Sequence, residues 1–86
     1  MHSYIGPVAS QLLAIANAEK AVAMKAYMKN KFEFLGIPSP ERRTVCKSYM
    51  KQHKLQEEKE LETIVKELWM LPEREFQYFG MELLAY

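Results

Sequence analysis

The sequence predicts an all-α fold, a short solenoid of about five helices in antiparallel hairpins. Three observations carry that expectation. Apolar residues recur at i, i+3, i+4 and i+7 along most of the chain, and nowhere does a clean apolar-polar alternation persist, so the period is that of helices and not strands. Hydrophobic residues make up 49% of the 86 positions, with only 3 Gly and 4 Pro, a balance that excludes a disordered or collagen-like chain. Short segments echo one another: Pro40-Glu41-Arg42 returns as Pro72-Glu73-Arg74, and Glu19-Lys20 as Glu58-Lys59, at offsets of 32 and 39 residues, near helical-hairpin repeat lengths.

Each element has its own signal. The first helix is expected from about Ile5 to Ala16, with Val8, Leu12 and Ile15 turned inward. Asn17 can cap a second helix that reaches about Lys31 and faces Ala21, Met24 and Met28 to the core. Phe32 to Ser39 reads as a connector, because Gly36 can adopt positive φ at a helix end and Pro38 cannot continue a helix. Ser39-Pro40 is a start signal: the serine hydroxyl can accept a free amide hydrogen bond, and proline loses nothing at the first helical position. That third helix should run to about Lys54. Leu61, Ile64, Val65, Leu68 and Trp69 then form an apolar stripe that Leu71-Pro72 ends, and Phe76, Phe79, Gly80, Leu83 and Leu84 form a fifth that still runs at Tyr86.

The chain reads as a single helical-repeat domain over 1–86. At about 40 to 47 residues per HEAT-like unit it holds about two units, and such arrays need about three or more to bury their faces. An exposed apolar end surface is therefore expected, covered by a second copy of the chain or by further C-terminal repeats of a longer protein.

Several function classes are excluded. Cys46 is the one cysteine, so neither an internal disulfide nor a cysteine-based zinc site is expected, and the residue reads as core packing. The opening segment MHSYIGPVASQLLAIANAEK has no basic leader and no apolar run approaching about 18 residues, so a cytoplasmic protein without a membrane partner is expected. His2 and His53 lack Cys or acidic partners at metal-ligand spacing, and there is no glycine-rich phosphate loop. Glu41, Glu73 and Glu75 fall in first helical turns, where the helix dipole suffices to account for them. Trp69, Phe76, Tyr78 and Phe79 sit at helical spacing and read as core. No catalytic residue, metal ligand or cofactor site is expected.

Charge is segregated. Between Met24 and Lys54 stand eight basic residues (Lys25, Lys29, Lys31, Arg42, Arg43, Lys47, Lys51 and Lys54) against Glu33 and Glu41, an excess of six. From Leu55 onward acids exceed bases by five, so the net charge of +1 hides a dipole. On the third helix Arg43, Lys47, Lys51 and Lys54 fall within about an 80° sector, away from Val45, Cys46 and Tyr49. Free backbone N–H groups in the first turn of that helix, with the positive end of its dipole at Ser39 and Pro40, add a ready phosphate site. Lys25 and Lys29 extend the charge, and Tyr27 beside them is placed to stack on or hydrogen-bond to a sugar-phosphate backbone. Nothing resembles base-edge readout, so contact with nucleic acid should be positional and salt-sensitive.

The runs Tyr27-Met28-Lys29-Asn30-Lys31-Phe32, Phe34 through Arg43 (FLGIPSPERR), and Lys66-Glu67-Leu68-Trp69 with Leu71-Pro72-Glu73-Arg74-Glu75-Phe76-Gln77 are similar to the amino-terminal part of the AlkD-like bacterial DNA alkylation-repair glycosylases. The resemblance covers most of the chain. It implies a HEAT-like solenoid whose basic concave surface holds duplex DNA, and hydrolysis of the glycosidic bond of N3- or N7-alkylated purines. The family's catalytic aspartate, its partner arginine and its lesion-contacting tryptophans fall in repeats that find no match here, so this portion alone is expected to be inactive. What the resemblance carries over is a DNA-backbone role for Tyr27, Pro38, Ser39, Pro40, Arg43 and Lys47, a face that Lys51 continues. The alternative is a non-catalytic helical-repeat module that pairs with protein, itself included, through the exposed end.

Overall fold

Five helices follow one another in the computed structural model, which describes residues 2–55 and 57–85: α1 (Ile5–Ala14), α2 (Ala18–Tyr27), α3 (Ser39–Gln52), α4 (Glu58–Met70) and α5 (Arg74–Ala85). The fold is all-α, as the periodicity predicts. Glu33 and Glu73 share an isolated parallel bridge. Among the described residues, no helix is long and apolar enough to cross a membrane.

Helix α1 buries Ile5, Val8 and Leu12 on one face but ends before Ala16. Its last turn tightens, with the Ile15 N–H donating to the Leu12 carbonyl at 3.2 Å, and Ile15 is left 41% exposed rather than in the core. The chain has to turn there so that the Asn17 N–H can reach the Leu35 carbonyl, 2.9 Å away. Asn17 caps α2 as expected, its side chain accepting from the Lys20 N–H at 3.0 Å. Helix α2 stops at Tyr27, short of Lys31, because Lys29 and Asn30 take left-handed φ values of 56° and 60°. Ala21, Met24 and Met28 are only half-buried, and no residue of α2 is fully enclosed.

The connector lies against the start of α2. Gly36 has φ 86°, and a Cβ there would fall 1.9 Å from the Asn17 carbonyl oxygen. Its glycine thus serves close approach of two backbones, not the end of a helix. Helix α3 begins one residue earlier than Pro40, and its N-cap is Pro38. The Ser39 hydroxyl does not cap the helix; no side chain does. The helix ends at Gln52, so Lys54 stands outside it.

Ile64 and Leu68 of α4 are fully buried against Phe76, Phe79 and Leu83 of α5, with Leu61 and Val65 half-covered. Two members of the predicted stripes face out: Trp69, 44% exposed, and Leu84, 59% exposed. The indole of Trp69 lies close to Gly80, where an added Cβ would meet Nε1 at 3.5 Å. The expectation that α5 continues through Tyr86 falls outside the described residues. Helix α1 packs on α3 through an aromatic cluster: the Tyr4 and Tyr49 rings meet edge-on at 4.9 Å, each 6.4 Å from Phe79, and the Tyr49 hydroxyl donates to the Tyr4 carbonyl. Cys46 is core, as expected, and burial pushes its thiol up to about 11.

Candidate nucleic-acid interface

The connector's position, and with it the start of α3, is set by the first two residues of α5. Glu75 is 1% exposed and its two carboxylate oxygens accept three consecutive backbone N–H groups, from Leu35 at 2.8 Å, Gly36 at 3.0 Å and Ile37 at 3.2 Å. The helix dipole alone therefore does not account for this residue. It replaces hydrogen bonds that an extended segment lying off any sheet would otherwise lack. Next to it the Arg74 N–H donates to the Glu33 carbonyl at 2.8 Å, and the Arg74 guanidinium lies over the Phe32 ring at 4.3 Å. The Pro-Glu-Arg echo acquires a physical meaning here: Arg42 and Arg74 converge on one ring, standing 5.2 Å and 5.3 Å from the centre of Tyr78. Tyr78 and Trp69 are thus not core residues but half-exposed platforms for guanidinium groups, Trp69 lying 6.0 Å from Arg74. Such contacts contribute about 0.5–2 kcal/mol each, more when shielded from water.

Arg42 and Arg43 are neighbours with opposite fates. Arg42 continues the inward stripe of Cys46 and Tyr49, is 5% exposed, and forms an ion pair with Glu82 of α5. Burial lowers its pKa from the usual guanidinium range. Arg43 points outward with Lys47 and Lys51, and among the described residues none of these three enters an ion pair. Lys25 is held by Glu33 at 2.7 Å, so two of the eight cations of the basic segment are matched by carboxylates.

Two concavities flank α3. A cleft of about 410 Å³ separates α2 from α3 and α5; Tyr27, Met24, Met28, Phe34 and Tyr78 line it, together with Ser39, Arg42 and Glu75. A second, of about 460 Å³, lies between α3 and α5 and is lined by Arg42, Arg43, Lys47, Tyr78, Met81 and Glu82. The structure thus brings Tyr27 and Ser39 to one opening and Arg43 and Lys47 to the other. Pro38 and Pro40 stand at the start of α3 between them, and Lys51 lies one turn farther along the outer face. Lys54 belongs instead to a third concavity with Tyr4, His53 and Leu83. With Pro38 at the N-cap, the first-turn N–H groups of α3 have no side-chain acceptor, and proline at the second position removes one donor from the set. Among the described residues, no group of three or more His, Cys, Asp and Glu side chains is placed to hold a metal ion.

A family model described as DNA alkylation repair enzyme matches residues 8–86. A solved structure described as a predicted DNA alkylation repair enzyme from Enterococcus faecalis is similar with a TM-score of 0.72 and 37% identity, over 79% of this chain and 32% of that one. The chain therefore spans about a third of that protein's length. No curated protein matches it.

Proposed function

The chain belongs to the DNA alkylation repair enzyme family, and from that premise we propose that it contributes the duplex-backbone-binding surface of an alkylpurine DNA glycosylase. The reaction of the whole enzyme is hydrolysis of the bond between deoxyribose and an N3- or N7-alkylated purine. A cationic alkylated base is already a good leaving group, so catalysis needs mainly a carboxylate near the developing oxocarbenium charge and a rigid hold on the backbone. This segment supplies the hold. The carboxylate is assigned to other repeats, because Glu75, the one buried acid among the described residues, is already occupied by three amides. A cytoplasmic location fits this role.

The observation that supports the reading best is the outward face of α3, where Arg43, Lys47 and Lys51 are exposed beside the uncapped start at Pro38, Ser39 and Pro40, with Tyr27 across the cleft. The test is the affinity of the chain for a short DNA duplex over a salt series, with light scattering to fix the oligomer. Three neutralised phosphates give a log-log slope of about −3. Arg43→Ala with Lys47→Ala should bring it to about −1 and weaken all sequences alike, because phosphate contacts carry no sequence information.

A second reading is favoured by a separate observation. Trp69, Met70, Met81 and Leu84 of the α4–α5 hairpin are all exposed, Met70 to 83%, which suits pairing with a second copy or with a following repeat. A tight dimer without duplex affinity at low salt would overturn the DNA reading in favour of this one.

A further inference from the structure

The groove between α3 and α5 contains a group that a plain cationic face does not need. Arg43 and Lys47 stand at its rim, Arg42 lies beneath them, and opposite all three is the carboxylate of Glu82. Arg42 is nearly enclosed, its side chain 6% exposed, while that of Glu82 is 26% exposed and so sits nearer the mouth. The Tyr78 ring, 5.2 Å from the guanidinium carbon, aims Arg42 from a second side.

A buried guanidinium without a partner is strongly unfavourable, so Arg42 requires an anion at all times. A carboxylate and a phosphodiester are interchangeable partners, because each presents two oxygens to the planar fork of an arginine. We propose that the groove is a phosphodiester seat and that Glu82 fills it in the free protein: when duplex DNA docks, a backbone phosphate takes the place of the Glu82 carboxylate on Arg42. The inference rests on the DNA-backbone reading above and assigns that surface its innermost contact. Exchange keeps Arg42 paired throughout. On release the Glu82 oxygen, buried where it faces Arg42, regains its hydration, which offsets part of the lost attraction. Arg43 and Lys47 favour the incoming anion, because a phosphate at the mouth meets both of them as well as Arg42. Glu82 acts as a tethered competitor, holding the groove closed to weak anions and open to a backbone that engages the whole face.

The experiment compares duplex affinity of the 86-residue chain with that of Glu82→Gln and of Glu41→Gln. The amide in Glu82→Gln still accepts a hydrogen bond from Arg42 but competes poorly with phosphate, whereas Glu41→Gln removes the same charge from the exposed first turn of α3, outside the groove. Expected is binding about tenfold tighter for Glu82→Gln than for Glu41→Gln at low salt, with a slope steeper by about one phosphate. Equal gains in the two variants would overturn the proposal, since net charge alone would then explain both. A second measurement uses the unaltered chain: the Arg42 side-chain nitrogen signals must move when duplex is added, and a silent Arg42 beside shifting Arg43 signals sinks the exchange. An unaltered chain that binds no duplex defeats the DNA-backbone reading itself, a different failure from binding with Arg42 and Glu82 unaffected.

Discussion

Helices α5 and α2 are of similar length, 12 and 10 residues, yet they are held in opposite ways. Helix α5 turns Phe76, Phe79, Gly80 and Leu83 into the core, and its first turn reaches across to hold the connector. Helix α2 buries none of its residues fully and is fixed at its ends, by the Asn17 cap, the Asn17–Leu35 hydrogen bond and the Lys25–Glu33 pair. Apolar burial stabilises in proportion to area, roughly 25 cal/mol per Å², so the stability of the domain resides in α5 and its neighbours. The basic face lies where these two regimes meet: its far side belongs to the core, and its opening toward Tyr27 depends on a few polar contacts.

The contrast breaks first at Phe79, which is fully buried against the Tyr4–Tyr49 pair. Phe79→Ala should cost about 4 kcal/mol, and in a domain this small that is most of the margin. Urea denaturation monitored by circular dichroism should show the whole chain losing structure in one transition. A change below about 1 kcal/mol would mean that the aromatic cluster is not the stabilising centre.

Gly36→Ala sharpens the comparison from the other side. Its positive φ and the close Asn17 carbonyl make any side chain strained, at about 2–3 kcal/mol. The connector and the start of α2 should separate while α4 and α5 stay folded, so hydrogen exchange should accelerate at amides of α2 and of residues 35–37 ahead of the rest. Uniform acceleration across all five helices would show that α2 is no less integrated than α5.

What the sequence disclosed follows the same division. Stripes are local, so five helices and most of their inward faces were legible from spacing alone. The burial of Arg42 is legible too, in the i, i+4, i+7 spacing of Arg42, Cys46 and Tyr49, which places it on the inward stripe despite its charge. Glu75 was not. Its partners lie 38 to 40 residues away, and an acid in a first helical turn already looks accounted for by the dipole. Trp69 and Leu84 face out because a helical stripe records periodicity, not how far the neighbouring element extends over it. The cationic face was visible as composition, whereas its pairing pattern, with Arg42 and Lys25 matched and, among the described residues, Arg43 and Lys47 not, needed three dimensions.

Cys46 gives a smaller effect confined to the core. Its folded-state thiol ionises near 11 against 9.0 for an unperturbed one. Between those values the unfolded chain has released the proton while the folded chain retains it, so stability must fall as pH rises through that window, by about 3 kcal/mol in full. Urea midpoints at pH 8 and pH 10.5 should diverge for the unaltered chain and diverge less for Cys46→Ala. Equal divergence in both would assign the alkaline loss to other groups, Tyr49 included, whose burial also raises its pKa.

Tyr27 supplies the smallest stability effect and separates holding from binding. It ends α2 and is 86% exposed, whereas Tyr49, 2% exposed, anchors α1 to α3 through its hydroxyl. Tyr27→Ala should therefore change unfolding free energy by less than about 0.5 kcal/mol, as surface substitutions do. An exposed ring kept at the mouth of a cleft beside the start of α3 has little reason in folding to be large. If it meets the sugar-phosphate backbone, its removal should weaken duplex binding about three- to tenfold without altering the salt slope, because a neutral ring releases no counterions. Unchanged affinity together with unchanged stability would confine the binding surface to the α3–α5 side of the molecule.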